Sequence, residues 1–437
     1  MNRTPWWAHP TCLFSIPLVL LAIAASVLPA SIYAEQWRTW KHFDDRALLI
    51  VLSAAAVFSL GAMLPRATGR FPSATAEPEV PRIVWPLFWT AFWLSVAGYV
   101  IWFGAAAARG MRWEHIEALA ATQAPMADIV KNTYMTTVSG VTTLTQFGMA
   151  ASVLGCLLGT VAGWGRLIPP LGTLGALAAI RSVLNSERLA VIELVVPALL
   201  AWLVIHNFRS EVARRLVNVM PVLGMGLLFV FFTASEYNRS WKSFYSARHD
   251  SLIEFAGARL AGYYVTALNN GAALEELAPG GFGTPYHTLN FAWRLPVIKD
   301  TAKSFLPTPP LDTAEKFERF LGGSVNIEFN NPGGVFLPIV DFGIPMGLAY
   351  WFAAGLICGW LYRHYEARTS IGVCLYPLAG LAMIESARVL YWAEGRSIPS
   401  MVWLAVAAWL ILNYQRRLQT RRIWTMSQVG AQAGGAA

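Results

Sequence analysis

The stretch CLFSIPLVLLAIAASVLPASIYA, residues 12–34, indicates the fold class, because it runs for 23 residues without a charged side chain. A helix needs roughly 20 apolar residues to cross the hydrocarbon core of a bilayer. Comparable apolar runs recur along the chain, although the fifth and the last are short. The sequence therefore predicts an all-α, polytopic transmembrane bundle of about ten helices, near residues 12–34, 47–65, 83–106, 138–163, 167–181, 187–205, 216–235, 335–362, 373–393 and 400–413.

The composition supports a membrane protein and argues against several soluble classes. Of 437 residues, 56% are hydrophobic and only 13% are charged, whereas an ordinary soluble domain has about 25% charged residues. The net charge of +8 comes from short clusters of cations between apolar runs, which is typical of membrane loops rather than of a nucleic-acid-binding surface. The chain has no Gly-rich phosphate loop, no zinc-ligand spacing and no CxxC pair. We therefore expect neither a metal, a cofactor nor a nucleic acid.

The distribution of cations predicts the orientation. With both termini in the cytoplasm, the inner loops and termini hold fourteen arginines and the short outer segments hold ten cations, in the sense of the positive-inside rule. The first run is expected to be a retained helix, because Ile32-Tyr33-Ala34 places a bulky residue where signal cleavage needs a small one. We expect helices 1–7 in residues 1–235, a large extracytoplasmic loop at 236–334, helices 8–10 in 335–413, and a basic, partly disordered cytoplasmic tail at 414–437.

Glycines recur every four residues in two of the predicted helices. Small residues at this spacing let helix backbones approach closely in a membrane. We interpret these glycines as packing positions that carry no chemistry: Gly155, Gly159 and Gly163 in the fourth helix, and Gly343, Gly347, Gly355 and Gly359 in the eighth.

The first group of polar residues lies between the fifth and sixth predicted helices. Arg181, Asn185 and Arg188 share one helical face. Glu193 lies about 7–8 Å deeper, given a rise of 1.5 Å per residue, and a carboxylate at that depth needs a partner or a watery cavity. The functional interpretation is an arginine clamp on a phosphate, with Glu193 orienting an arginine or acting as a base. The alternative is a pair of arginines reaching the interface beside a structural ion pair.

The second group begins the long loop. Arg248, Leu252, Phe255, Arg259 and Tyr263 recur at helical spacing. This stripe predicts an amphipathic helix lying in the membrane interface, with its arginines near phosphates. Nearby tyrosines offer aromatic faces and hydroxyls of the kind that hold sugars. The alternative is a surface helix that binds no ligand.

The third group lies at the outer end of the ninth predicted helix. Glu385 and Arg388 are three residues apart and can pair on one face. Asp341, in the eighth helix, is another intramembrane acid, and such residues are candidates for a functional site. A helix-stabilising ion pair is the alternative. His249 and His287 stand alone, without metal-ligand spacing.

At these residues the sequence resembles the O-antigen polymerase (Wzy), or oligosaccharide repeat-unit polymerase, family of bacterial membrane glycosyltransferases. No single motif is sharp, and the ordered set spans most of residues 90–395. One motif of the family, an arginine followed after ten residues by glycine, is not matched, since Gly271 follows Arg259 one residue too late. The resembling segments are SGVTTLTQFG (139–148), RSVLNSERLAVIELVVP (181–197), EYNRSWKSFY (236–245), RLAGYYVTALNNG (259–271) and VNIEFNNPGGVFLPIVDFGIPMG (325–347).

The resemblance implies a GT-C-like helical enzyme of the bacterial inner membrane, with its active face in the periplasm. It would transfer a growing glycan from undecaprenyl diphosphate to the next lipid-linked unit, without a metal or nucleotide sugar. A chain-length regulator and a flippase would be its partners, beside the lipid bilayer. For this chemistry the expected residues are Arg181, Arg188, Arg239, Arg248, Arg259 and Arg388 for the diphosphates, Glu187, Glu193 and Glu385 as base, and Tyr263, Tyr264, Asn269, Asn326 and Asp341 for sugars.

Three alternatives remain open from the sequence. An O-antigen ligase, which transfers glycan onto the lipid A core, would use the same arginine chemistry. A flippase or transporter would place polar residues along a whole pore, whereas here they gather toward one side. A structural membrane subunit would need no arginine-rich outer loop.

Overall fold

The computed structural model describes most of the chain. The described residues are 4–68, 80–121, 126–138, 140–185, 187–206, 208, 210–247, 249–294, 299–305, 322–323 and 325–434. Within these ranges the regular structure is helical and contains no strand.

In the described part of the chain, the α-helices with assigned bounds are numbered α1–α17 in chain order, and short 3-10 turns and π-helical segments accompany them. The 3-10 turns are Trp6–Ala8, Trp164–Arg166, Ile327–Phe329 and Tyr391–Ala393, and the π-helical segments are Val130–Tyr134 and Tyr237–Tyr245. The helices are α1 Pro10–Val27, α2 Ala30–Trp37, α3 Asp45–Thr68, α4 Val84–Ala108, α5 Trp113–Ala120, α6 Met126–Ile129, α7 Val141–Leu144, α8 Phe147–Ala162, α9 Ile168–Leu184, α10 Leu189–Ile205, α11 Glu211–Glu236, α12 Leu252–Leu277, α13 Asn290–Arg294, α14 Lys299–Phe305, α15 Leu337–Glu366, α16 Ser370–Glu385 and α17 Ile398–Gly434.

The prediction of an all-helical membrane protein is confirmed, but the number of crossings stays a prediction. In the described part of the chain, seven helical stretches are long and apolar enough to span a bilayer. The other three predicted spans are α9, α10 and α16, of 16 or 17 residues. At 1.5 Å per residue such helices are about 24–26 Å long, shorter than a hydrocarbon core of about 30 Å. The seven stretches are Pro10–Val27, Asp45–Ala67, Val84–Ala108, Val141–Ala162, Glu211–Glu236, Leu337–Glu366 and Ile398–Leu418.

Helices α3 and α15 form the closest contact in the bundle, at the glycines that the sequence marks as packing positions. A Cβ atom added to Gly355 would collide with the carbonyl of Phe58, and one added to Gly359 would collide with the carbonyl of Ala62. Only glycine therefore permits this backbone approach. Close packing favours helix association in a membrane, where the hydrophobic effect does not drive helices together. Gly343 has another role, because its φ of 77° breaks the helical path inside α15.

Charged side chains near the helix ends separate onto two sides of the bundle. On one side, the predicted cytoplasmic one, Arg66 pairs with Glu366 at 2.5 Å, and Thr4 is hydrogen-bonded to Tyr362 at 2.9 Å. The three groups found in the sequence are neighbours in space, because the Arg188 guanidinium lies 5.3 Å from the Tyr263 ring centroid and the Arg388 guanidinium lies 5.6 Å from that of Tyr264.

Helix α12 differs from the expected interfacial helix. Its second half is almost entirely buried, from Val265 to Glu275, and its first half receives a hydrogen bond from the Trp37 indole to the Ala258 carbonyl at 3.0 Å. Arg259 is only 7% exposed, so it faces protein rather than lipid phosphates. The backbone of α17 is helical to Gly434, and the partial disorder expected for the tail stays a prediction.

Candidate functional site

Two clusters of ion pairs meet where α9 turns into α10. The sealed cluster comprises Arg181, Glu187, Glu193 and Arg396. The cavity cluster comprises Arg188, Glu236, Arg259 and Glu328. Glu187 and Arg188 are adjacent in the chain, so one turn contributes a residue to each cluster.

In the sealed cluster, two arginines share two carboxylates. Glu187 receives Arg181 Nη2 at 2.7 Å on Oε2 and Arg396 Nη1 at 2.7 Å on Oε1. Arg396 also reaches Glu193 Oε1 at 3.0 Å. These ion pairs connect the α9–α10 turn to the segment between α16 and α17.

Neutral groups complete the sealed cluster. The Tyr391 hydroxyl donates to Glu193 Oε1 at 2.9 Å. With its amide oriented to suit both neighbours, Gln146 donates to Glu193 Oε2 at 3.3 Å and accepts from Arg181 Nη1 at 3.1 Å. The adjoining cavity is only about 10 Å³, enough for about one water molecule. A lipid head group or sugar therefore has no room here.

The electrostatics of Glu187 agree with this geometry. Burial alone would raise its pKa, but Arg396 and Arg181 outweigh burial and lower the pKa of Glu187 to about 2. A carboxylate held so firmly in its charged form is a weak proton acceptor at neutral pH. The geometry thus holds Glu187 as an anion between two arginines, and its role as a base stays a prediction.

The cavity cluster joins three elements through Arg259. Its Nε lies 2.8 Å from Glu236 Oε2 at the end of α11, and its Nη1 lies 3.0 Å from Glu328 Oε2 in the turn before α15. Arg188 also pairs with Glu236 and donates through Nε to Ser235 Oγ at 3.2 Å. Both arginines therefore hold the end of α11 through ion pairs with Glu236.

Aromatic rings surround both guanidinium groups of the cavity cluster. The Arg188 guanidinium lies 4.0 Å from the Phe232 ring centroid and 5.3 Å from that of Tyr263. Guanidinium groups stack favourably on such faces. The Arg259 guanidinium lies 5.4–5.9 Å from four ring centroids, those of Tyr245, Phe255, Tyr263 and Phe329.

A cavity of about 130 Å³ opens beside Arg259. Its wall combines cations, carboxylates and aromatic rings, a combination suited to an anionic group attached to a sugar. Arg38, which ends α2 with a left-handed φ of 51°, is an exposed cation on this wall. The lining residues are Glu35, Gln36, Trp37, Arg38, Tyr245, His249, Phe255, Ala258, Arg259, Asn326, Glu328 and Phe329.

The third predicted group adjoins the cavity cluster through α12. Arg388 pairs with Glu385 at 3.0 Å, and its guanidinium lies 5.6 Å from the Tyr264 ring centroid. Tyr263, next in the chain, contacts the other two arginines. The structure therefore brings Arg188, Arg259 and Arg388 around one pair of tyrosines.

Two of the predicted sugar-binding side chains, those of Asn269 and Asp341, accept hydrogen bonds from backbone amides. Asn269 is fully buried; its side-chain oxygen accepts from the amides of His42 and Phe43 at 2.7 and 3.0 Å. Asp341 is also fully buried and accepts from the amides of His287 and Thr288 at 3.0 and 2.7 Å. Both side chains hold loop backbone in place through these hydrogen bonds, and neither lines the cavity.

Of the remaining predicted residues, the structure describes the side chain of Asn326 but not those of Arg239 and Arg248. Asn326 lines the cavity, where it donates to the Trp37 carbonyl at 2.9 Å. Arg248 and the side chain of Arg239 lie outside the described residues.

Sequence reasoning missed Glu236 and Glu328, the carboxylates that complete the cavity cluster, and gave Arg396 no role. A carboxylate at the end of an apolar helix requires a partner, so Glu236 did carry a signal. Arg38 and Glu328 carried none, because only the folded chain places both on the wall of one cavity. Within the described ranges, no three His, Cys, Asp or Glu side chains lie together as a metal-ligand set.

Comparison of the chain with known protein families, curated proteins and solved structures finds no match.

Proposed function

We propose that the protein is a membrane glycosyltransferase that polymerises undecaprenyl-diphosphate-linked oligosaccharide units at the periplasmic face of a bacterial inner membrane. The observation that carries the proposal is the cavity of about 130 Å³ at Arg259, which combines guanidinium groups with aromatic rings. The family resemblance in the sequence supplies the substrate.

The reaction requires stabilisation of a departing diphosphate. The acceptor hydroxyl oxygen attacks the anomeric carbon of the donor, the bond from that carbon to the diphosphate oxygen breaks, and the hydroxyl proton passes to a base or to water. Negative charge then grows on the diphosphate, where preorganised guanidinium groups stabilise it most effectively. Arg259 and Arg38 are assigned this role, with Arg188 and Arg388 on the other side of Tyr263 and Tyr264.

Glu328 marks the position that a phosphate group would take. Carboxylate and phosphate both accept the paired N–H groups of arginine, and Glu328 now accepts from Arg259. Its side chain is 43% exposed and lies on a short turn. Displacement of Glu328 by a phosphate would therefore leave no charge buried without a partner.

A reconstitution experiment tests the proposal. Purified protein in proteoliposomes receives one synthetic undecaprenyl-diphosphate-linked repeat unit, and the products are separated by length. The proposal predicts a ladder of chain lengths that Arg259→Lys reduces. Arg215→Lys is the matched control, because Arg215 lies in an exposed pair at the opposite end of α11.

Other outcomes of this experiment would overturn the proposal. A single transfer to added lipid A core, without a ladder, would identify a ligase. Movement of the lipid-linked unit across the bilayer without new glycosidic bonds would identify a flippase.

A further inference from the structure

Arg38 is the cation that α2, rather than α12, contributes to the cavity wall. It follows α2 directly, with a left-handed φ of 51°. The residue before it, Trp37, donates through its indole N–H to the carbonyl of Ala258, the residue before Arg259, at 3.0 Å. The elements that carry the two arginines are therefore joined next to both of them.

The end of α2 is closely packed against α12. A Cβ atom added to Gly262 would lie 2.6 Å from the indole nitrogen of Trp37, closer than a side chain allows. Asn326 donates to the carbonyl of Trp37 at 2.9 Å from the other side. The backbone at Arg38 is thus held in place, although the side chain of Arg38 is exposed.

The charges of the cavity cluster are already balanced without Arg38. Arg188 and Arg259 both pair with Glu236, and Arg259 also pairs with Glu328. Displacement of Glu328 by an anion would leave these two arginines with one carboxylate. The cluster therefore has one positive charge in excess, which suits one phosphate group rather than two.

Arg38 supplies a second cation to the same cavity. Among the described residues its guanidinium takes part in no ion pair, and this includes Glu35, the exposed carboxylate one turn earlier on the same wall. An arginine side chain stays charged at physiological pH and donates paired N–H groups to phosphate oxygens. An anion with two phosphate groups can therefore use Arg38 in addition to Arg259.

We propose that Arg38 binds one phosphate of a lipid diphosphate whose other phosphate binds at Arg259, and that Arg38 thereby selects the diphosphate form of the lipid carrier over its monophosphate form. Undecaprenyl as the carrier is taken from the proposed function, on which this inference rests. The left-handed backbone is not the reason, because Arg368 also has one, with a φ of 56°, and does not line the cavity. The reason is that Arg38 and Arg259 share one wall.

Binding selectivity tests the role of Arg38. Purified protein in nanodiscs is titrated with undecaprenyl diphosphate and, separately, with undecaprenyl phosphate. The variant is Arg38→Gly, and the matched control is Arg368→Gly, which removes the same side chain from the same backbone conformation at the end of α15. Glycine adopts a left-handed conformation readily, so neither variant should lower the thermal midpoint of unfolding.

The natural protein and Arg368→Gly should bind the diphosphate about tenfold more tightly than the monophosphate, the ratio that one additional charge-assisted contact gives. Arg38→Gly should reduce this preference to less than about threefold, mainly through weaker binding of the diphosphate. A tenfold preference that persists in Arg38→Gly would overturn the inference. So would an equal loss of affinity for both lipids, or a natural protein without any preference.

The titration needs no turnover, so this inference and the proposed reaction can fail separately. A preference that depends on Arg38 in a protein that makes no product ladder would support the inference and reject the reaction. A ladder made by a protein whose preference does not depend on Arg38 would support the reaction and reject the inference.

Discussion

The sealed cluster and the cavity cluster each contain two arginines and two glutamates, but they differ in what surrounds them. The cavity beside the sealed cluster is about 10 Å³, and the one beside the cavity cluster is about 130 Å³. In the sealed cluster, the Arg181 and Glu193 side chains are 6% and 4% exposed, and those of Glu187 and Arg396 are 20% and 32% exposed. In the cavity cluster, the Glu328 side chain is 43% exposed.

This difference separates a structural role from a binding role for the same residue types. A set of charges beside a cavity that holds about one water molecule has no room for an incoming anion to replace a partner. A set with one exposed carboxylate can exchange it for an incoming anion. The surroundings of an arginine, rather than its presence in an outer segment, decide whether it is available to a substrate.

The largest expected effect is on stability, in the sealed cluster. Arg181→Ala leaves Glu187 and Glu193 with Arg396 as their only cation, and breaking a buried pair in this way costs about 3–5 kcal/mol of unfolding free energy. Denaturant unfolding in detergent measures the loss. The control is Arg215→Ala, which breaks an exposed pair and should change stability by less than about 1 kcal/mol. Equal losses in the two variants would refute the distinction between the clusters.

A smaller effect, of opposite sign, is expected in the cavity cluster. Glu328→Gln removes the carboxylate that competes for Arg259, so undecaprenyl diphosphate should bind more tightly. An ion pair with an exposed partner contributes about 0.2–1 kcal/mol, which corresponds to an increase in affinity of up to about fivefold. Titration of protein in nanodiscs measures it. Weaker binding by Glu328→Gln would show that Glu328 contacts the ligand favourably.

A further prediction concerns pH and Glu187. Its folded pKa of about 2 lies below its ordinary value of 4.5, so its ion pairs stabilise the fold fully above about pH 4.5. That stabilisation is lost as the pH falls from about 4.5 toward 2. Thermal midpoints measured across this window should fall less for Glu187→Gln than for the natural protein. Parallel curves for the two proteins would contradict the assignment.

The sequence predicts the helices well because apolar length is a local property. Each predicted span overlaps a helix, although 12–34 runs past the end of α1 into α2 and 138–163 covers both α7 and α8. The four-residue spacing of Gly355 and Gly359 correctly marks the contact with α3. The interfacial helix is the main failure. The stripe through Arg259 has amphipathic spacing, but spacing cannot show that Glu236 and Glu328 neutralise this arginine and allow its burial.

The site is only partly predictable, because local spacing in the sequence does not reveal contacts between distant parts of the chain. Helical spacing finds neighbours three or four residues apart, as with Glu385 and Arg388. The decisive pairs join residues far apart in the chain: 48 positions separate Arg188 from Glu236, and 203 separate Glu193 from Arg396. A buried structural asparagine such as Asn269 is the same residue type as one that binds a sugar. Only its hydrogen bonds with the backbone of the folded chain show its structural role.

The central claim is that the cavity cluster, and not the sealed cluster, binds the lipid diphosphate. The most direct test compares the binding of undecaprenyl diphosphate to Arg259→Lys and Arg181→Lys in nanodiscs, with the natural protein as reference. Each variant keeps a positive charge and loses the planar fork of N–H groups that donates to two phosphate oxygens. The account predicts weaker binding by Arg259→Lys, by about tenfold, and unchanged affinity in the folded fraction of Arg181→Lys. Unchanged binding by Arg259→Lys, or equal losses in both variants, would contradict it.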